Sequence, residues 1–242
     1  MNKKTVGIVG VGNVGATLAF TLATKNICSK LLLKDVRENF VQAMALDISQ
    51  ATNAAKSKTI VQACLNDKDF KDCDVIIITA GIARKPGMSR NDLLLTNAKI
   101  MTSVIDNIIP YNQNSIIIIV SNPLDVMVYT ALKASNWSRN KIIGMAGILD
   151  SARMAHFIFE KLGYGQGQID ASVMGGHGDD MVPLADFSTV AGVNLSELLS
   201  KNDIEDIINK TKNGGAQIVK LLETGSAYYA PAYSTILMIE AI

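Results

Sequence analysis

The chain has 242 residues, 48% of them hydrophobic, which is enough for one large core or two modest ones. Its 23 basic and 22 acidic residues leave a net charge of +1, too little to gather nucleic acid or an acidic membrane, so small molecules and copies of the chain itself are the expected partners. Three cysteines, Cys28, Cys64 and Cys73, without Cys-x-x-Cys spacing, fit buried thiols in a reducing compartment better than a disulfide framework.

Near the N-terminus two lysines precede an apolar run that breaks on glycines within a few residues, unlike a secretory signal core. Another apolar run, residues 115–120, is strand-sized and far short of a membrane span, so a cytoplasmic protein is expected. Short β-branched runs at residues 5–9, 30–34, 59–62, 75–79 and 115–120, with a shorter one at 141–143, read as strands that are apolar almost throughout. Between them, residues 13–25, 38–51, 91–111 and 124–135 read as helices. Ser89-x-x-Asp92 supplies a capping box for the third, and Pro110 closes it. Strand and helix in alternation predict an α/β fold, a doubly wound parallel sheet over residues 1–144.

The texture then changes. A helix at 148–162 precedes a Gly-rich stretch, strand-like segments at 169–174 and 182–193, and a charged helix at 203–223. Residues 145–242 are therefore expected to form a second, α+β substrate domain. The last residues, 232–242, look helical but end without a Gly or Asn cap or a basic last turn, which reads as a chain stopping inside a helix with a C-terminal piece missing.

Directly after the first strand stands Gly10-Val11-Gly12-Asn13-Val14-Gly15, opening a helix, and Asp35 ends the second strand twenty positions after Gly15. Gly10 suits a tight turn, Gly12 lets the backbone approach a pyrophosphate, and Gly15 lets helix and strand pack closely, while the helix N-terminus offers N–H groups to phosphates. Asp35 would accept from ribose hydroxyls and repel a ribose phosphate, which favours NAD over NADP. Arg37 is discordant, because an arginine just past the acid can accommodate that phosphate.

Of two histidines, His156 lies mid-helix among apolar residues and reads as packed or surface, whereas His177 lies in a Gly-flanked loop. Asp150 and Arg153, at i and i+3, share one helical face: one can orient an imidazole while the other holds a substrate carboxylate, or the two are an ordinary ion pair. The loop after the fourth strand carries Arg84, Lys85 and Arg90 around a Pro-Gly turn. Lys85 reads as solvated, while both arginines can fork onto carboxylates when the loop closes. Asn122, after the fifth strand, can bond a substrate oxygen or the nicotinamide ribose, or simply start a helix. No metal is expected.

Taken in order, Gly10–Gly15, Arg84-Lys-Pro-Gly-Met-x-Arg90, Ser121-Asn-Pro, Leu149-Asp-x-x-Arg153 and Gly176-His-Gly-Asp resemble the lactate/malate dehydrogenase family across essentially the whole chain. The resemblance implies a Rossmann domain holding NAD, with His177 as proton acceptor and donor and Asp150 paired to it. It implies that Arg153 grips the substrate's C1 carboxylate, that Arg90 polarises the carbonyl, and that Asn122 touches substrate and cofactor. Asn97 and the backbone near Val120 resemble further NAD contacts. At the family's substrate-choosing position stands Arg84, as in malate-type members, where lactate-type members carry Gln; a dicarboxylate needs that second cation. A homodimer or homotetramer is implied as well. The alternatives are a lactate-type enzyme, distinguished by comparing oxaloacetate with pyruvate, and a non-catalytic NAD-binding protein, distinguished by turnover of NADH.

Overall fold

Among the described residues, six strands pair in parallel as one sheet: β1 (Thr5–Val9), β2 (Lys30–Lys34), β3 (Ile60–Ala63), β4 (Val75–Ile78), β5 (Ile116–Ile119) and β6 (Ile142–Gly144). The structure is a computed structural model describing residues 4–82, 89–178 and 180–242, with Arg90 placed by its backbone. The strand order is β3-β2-β1-β4-β5-β6. Four of the five crossovers between parallel strands run through a helix, α1 (Asn13–Thr24), α2 (Glu38–Ala54), α3 (Arg90–Ile108) or α4 (Leu124–Ser135), and the one from β3 to β4 runs through the 3-10 turn Asp67–Asp72. β4 is buried at all of its positions and β1 at all but its first, as strands covered on both faces must be. Order reverses between β1 and β4, so the carboxyl ends of these two strands open a crevice of the kind that takes ligands in doubly wound sheets.

The chain divides into two compact units, residues up to Met145 together with Pro231–Ile242, and Ala146–Ala230. The sequence assigns 232–242 to the substrate domain. In the structure, α8 (Tyr229–Ala241) packs from Pro231 onward with the first unit, burying Ala232, Ile236 and Ile239 there, and the Lys25 ammonium donates to the Tyr233 hydroxyl at 2.8 Å.

The second unit is built on α5 (Gly147–Leu162) and α7 (Lys201–Leu222), whose apolar faces close on Met154, Ile158, Leu195 and Ile207. The two strand-like segments expected at 169–174 and 182–193 are broken into short pieces. β7 (Ile169–Asp170), β10 (Thr189–Val190) and β11 (Val193–Asn194) form one small antiparallel sheet, and β8 (Val173–Gly175) pairs with β9 (Met181–Pro183). The chain turns at Ala185–Phe187 in a 3-10 turn because Ser188 bonds back to Leu184, a local bond that hydrophobic alternation does not register. A short helix, α6 (Leu195–Leu198), and a 3-10 turn at Asp67–Asp72 with its own Asn66/Asp69 capping box are likewise invisible to periodicity.

The three cysteines are buried and free of disulfides. Burial pushes the Cys64 thiol up to about 11 and the Cys73 thiol up to about 12, which keeps both unreactive near neutrality. No described helix is long and apolar enough to cross a membrane.

Asn112, past the end of α3, ties the entry of β5 to the turn before β4. It is 3% exposed; its amide donates to the carbonyls of Phe70 (2.7 Å) and Cys73 (2.9 Å) and accepts from the N–H groups of Asn114 (2.9 Å) and Ser115 (3.0 Å). Asn112→Ala removes all four bonds and takes this partner from the Cys73 carbonyl and the Asn114 and Ser115 N–H groups, and the unfolding free energy should fall by roughly 2–4 kcal/mol. Urea denaturation followed by circular dichroism checks this; an unmoved midpoint contradicts it.

Candidate active site

The turn from β1 into α1 is where the backbone has the least room. Gly10 has a φ of +94°, and a Cβ there would lie 2.7 Å from the backbone nitrogen of Ala80. A Cβ on Gly15 would run into the Gly10 carbonyl oxygen. That oxygen accepts from the Thr79 hydroxyl at 2.7 Å, while the Gly10 N–H donates to Lys34 at 2.8 Å, so strands β4 and β2 both hold the turn. In front of Gly12 the space is open: a Cβ would meet nothing within 4 Å. The N-terminus of α1 has no side-chain cap and no acidic residue in its first turn, which leaves its positive end to an anion.

Asp35 closes the other side of this crevice. Its side chain is 8% exposed. Although burial pushes its carboxyl up, hydrogen bonds from the Arg37 guanidinium and from the N–H groups of Val11 and Arg37 hold it below the usual carboxylate range. A cleft of about 620 Å³ runs past Gly10, Gly12, Asp35, Thr79 and Gly81. An open glycine turn, an uncapped helix end and a carboxylate that stays charged fit the pyrophosphate and ribose of a dinucleotide.

Asn97 is also deeply buried, but its amide is spent on backbone. It accepts from Ile82 N–H (2.9 Å) and donates to the carbonyls of Ile82 (3.1 Å) and Asn122 (2.7 Å), which fixes Asn122 at the end of β5. Ser121, which the Ser-Asn-Pro motif includes without a role of its own, donates to the Ala80 carbonyl at 2.6 Å and joins the ends of β4 and β5. The Val120 N–H is used in the sheet, on Ile78. Arg84 lies outside the described residues, and Arg90 is described only as the first residue of α3, behind the Ser89 cap that accepts from Asp92 N–H at 3.1 Å.

In the second unit the structure brings Asp150, Arg153 and His177 together. Asp150, in the first turn of α5, is 1% exposed. One carboxylate oxygen meets His177 Nδ1 at 2.8 Å and the other meets Arg153 Nη1 at 3.1 Å. An ionised carboxylate only accepts, so Nδ1 carries the proton, and in a neutral ring Nε2 then holds the lone pair and can act as base. His156, by contrast, is exposed on α5 against Phe157.

Arg153 is not only an ion-pair partner. Its side chain is 15% exposed and its buried Nε lacks a hydrogen-bond partner among the described residues, an unmet donor of the kind that a planar carboxylate satisfies. The guanidinium lies over Gly215 of α7, where a Cβ would stand 3.3 Å from Nη2 and 3.5 Å from Nη1. Sequence reasoning missed Gly214 and Gly215, although two adjacent glycines inside a charged helix are a readable signal, each costing about 1 kcal/mol against alanine.

Two family models divide the chain: residues 4–144 match the lactate/malate dehydrogenase NAD binding domain, and residues 148–242 match the alpha/beta C-terminal domain of the same family. The chain is 71% identical to a malate dehydrogenase of Aliarcobacter butzleri over all of its own length and 77% of that protein. It is 58% identical to one of Sulfurimonas denitrificans over 99% of this chain and 75% of the relative. Among solved structures, the apo malate dehydrogenase of Picrophilus torridus superposes with a TM-score of 0.94 at 40% identity, over 99% of this chain and 76% of that one. A lactate dehydrogenase of Eimeria maxima, solved with NADH and oxamate, gives 0.92 at 39% identity, over 100% and 74%. The chain belongs to the lactate/malate dehydrogenase family of NAD-dependent oxidoreductases.

Proposed function

We propose that this chain catalyses the reversible oxidation of (S)-malate to oxaloacetate with NAD, and that His177 moves the proton. The observation that carries the proposal is the buried Asp150 carboxylate shared between the His177 imidazole and the Arg153 guanidinium. NAD, when bound, supplies the hydride acceptor. In the oxidation direction neutral His177 takes the hydroxyl proton at Nε2, and in reduction the imidazolium returns it. Asp150 holds the ring in the required tautomer and stabilises the imidazolium. Arg153 pairs with the C1 carboxylate, Arg90 polarises the reacting carbonyl, and Arg84 takes the distal carboxylate. Asn122 contacts substrate and cofactor. Gly10, Val11, Gly12, Asn13, Val14 and Gly15 cradle the pyrophosphate, Asp35 receives the ribose, and Asn97 and Val120 shape the floor. Cofactor work falls to residues 1–144 and substrate work to 145–242, in a cytoplasmic homodimer or homotetramer. Oxidation of NADH by a panel of 2-keto acids tests the reading: oxaloacetate should be the preferred substrate, and pyruvate in its place would make the chain lactate-type.

The proton step has a sign. Reduction needs His177 protonated, so kcat/KM for oxaloacetate should fall as pH rises, while that for malate, which needs neutral His177, should rise. His177→Asn should abolish turnover and leave NADH binding nearly unchanged; retained turnover moves the proton step elsewhere.

Arg84→Gln leaves the distal carboxylate desolvated and unpaired, a loss of roughly 2–5 kcal/mol. At about 1.4 kcal/mol per decade, kcat/KM for oxaloacetate should drop on the order of 10²–10³-fold while pyruvate reduction holds or improves. Equal losses on both substrates would show that Arg84 positions its loop without selecting substrate.

Gly215→Val pushes the Arg153 guanidinium off its seat, and misplacing a substrate clamp by an ångström costs on the order of 10–100-fold in kcat/KM. The loss should fall mainly on KM for oxaloacetate, with NADH affinity nearly unchanged. A matching loss of NADH affinity would mean general damage to the chain.

A further inference from the structure

Resting on the dinucleotide reading, a second feature of the crevice bears on which dinucleotide it prefers. A carboxylate has about four lone-pair sites, and in this structure four donors reach Asp35. Two are backbone: the Val11 N–H on Oδ2 at 2.9 Å and the Arg37 N–H on Oδ1 at 3.1 Å. They hold the carboxylate in place. The other two come from the Arg37 guanidinium, Nε on Oδ1 at 2.9 Å and Nη2 on Oδ2 at 3.2 Å, one donor to each oxygen. A ribose diol offers the same pattern, two neighbouring O–H groups for the two oxygens of one carboxylate. The guanidinium and the diol therefore compete for the same acceptors.

The fork is built to exchange. The Arg37 side chain is 57% exposed, and its guanidinium carbon lies 3.9 Å from the centre of the Phe40 ring, one turn into α2. An exposed arginine pair is a weak one, and the aromatic face gives the cation a second foothold beside the carboxylate. Of the other cations lining the cleft, Lys34 is already paired with Asp67 at 2.8 Å, and Lys99 reaches it from α3.

We propose that Arg37 is a displaceable stand-in for the ribose diol, which opposes NADH binding and favours NADPH, so that this residue limits the selectivity Asp35 would otherwise impose. NADH must move the guanidinium off both oxygens and brings no ribose phosphate for it to fork onto. NADPH replaces one hydroxyl by a phosphate dianion, which Asp35 repels, yet the released guanidinium can fork onto that phosphate.

The test is the dissociation constant of NADH and of NADPH, without substrate, from nucleotide fluorescence on the full chain and on Arg37→Met and Arg37→Lys. In Arg37→Met, NADH should bind about threefold to tenfold more tightly, since a weak competitor has gone, and NADPH on the order of tenfold more weakly, since its charge-assisted partner has gone. Arg37→Lys keeps the charge without the fork and should restore NADPH binding to within about threefold. Opposite movement of the two nucleotides supports the proposal. Parallel movement, or no tightening of NADH, overturns it, and NADPH binding that lysine does not restore overturns its phosphate half. An unmodified chain that binds no NADH would instead defeat the dinucleotide reading on which all of this rests.

Discussion

Asp150 is a carboxylate taken almost wholly out of water and divided between an imidazole and a guanidinium, and the second unit is organised around it. A buried charge of this kind is tolerated only when its lone pairs are met, and removing its charged partner Arg153 costs roughly 3–5 kcal/mol. The pairing joins the first turn of α5 to the loop after β8, 27 residues away. It also fixes the imidazole tautomer and draws the Arg153 guanidinium down over Gly215. One desolvated anion thus sets the orientation of two side chains whose geometry the chemistry needs, and the bare glycine pair of α7 supplies the room.

In the first unit the constraint is backbone proximity, not charge. The turn at Gly10 sits against Ala80, and hydroxyl and amide side chains at the strand ends complete the contacts: Thr79 onto Gly10, Ser121 onto Ala80, Asn97 onto Ile82 and Asn122. None of these groups is charged and none needs to touch a ligand. Their effect is to make the rim of the crevice rigid, so that N–H groups at the start of α1 are aimed before anything binds.

Asp35 combines both kinds of constraint. It is oriented by backbone like the rim and charged like Asp150, but its guanidinium partner is largely in water. The contrast with Asp150 is physical. Arg153 is enclosed and so is a permanent part of its site, whereas Arg37 is exposed and can be traded for a ligand that offers donors to the same oxygens.

The sequence by itself determined the strands β1 and β2 and the helix α4 to the residue, and the remaining sheet strands and major helices to within a few residues, because a parallel sheet between helices writes long apolar runs into the chain. It also fixed the glycine turn, Asp35 and the Asp150–Arg153 spacing, since each depends on residues close in sequence or on a repeating strand-turn-helix pattern. Only the tertiary structure decided the rest. The chain between Ile169 and Asn194 is broken into short strands, with a Ser188 bond to Leu184 at the turn between β9 and β10, and α8 joins the first unit through packing that its own periodicity does not encode. Asn112, Thr79, Ser121 and Gly215 act on backbone or side chains far along the chain, where residue type alone names no partner. Arg37 shows the limit most plainly. Its proximity to Asp35 was legible, but whether it reaches for a phosphate or closes on the carboxylate depends on distances and exposure that exist only once β2, α1 and α2 are in place.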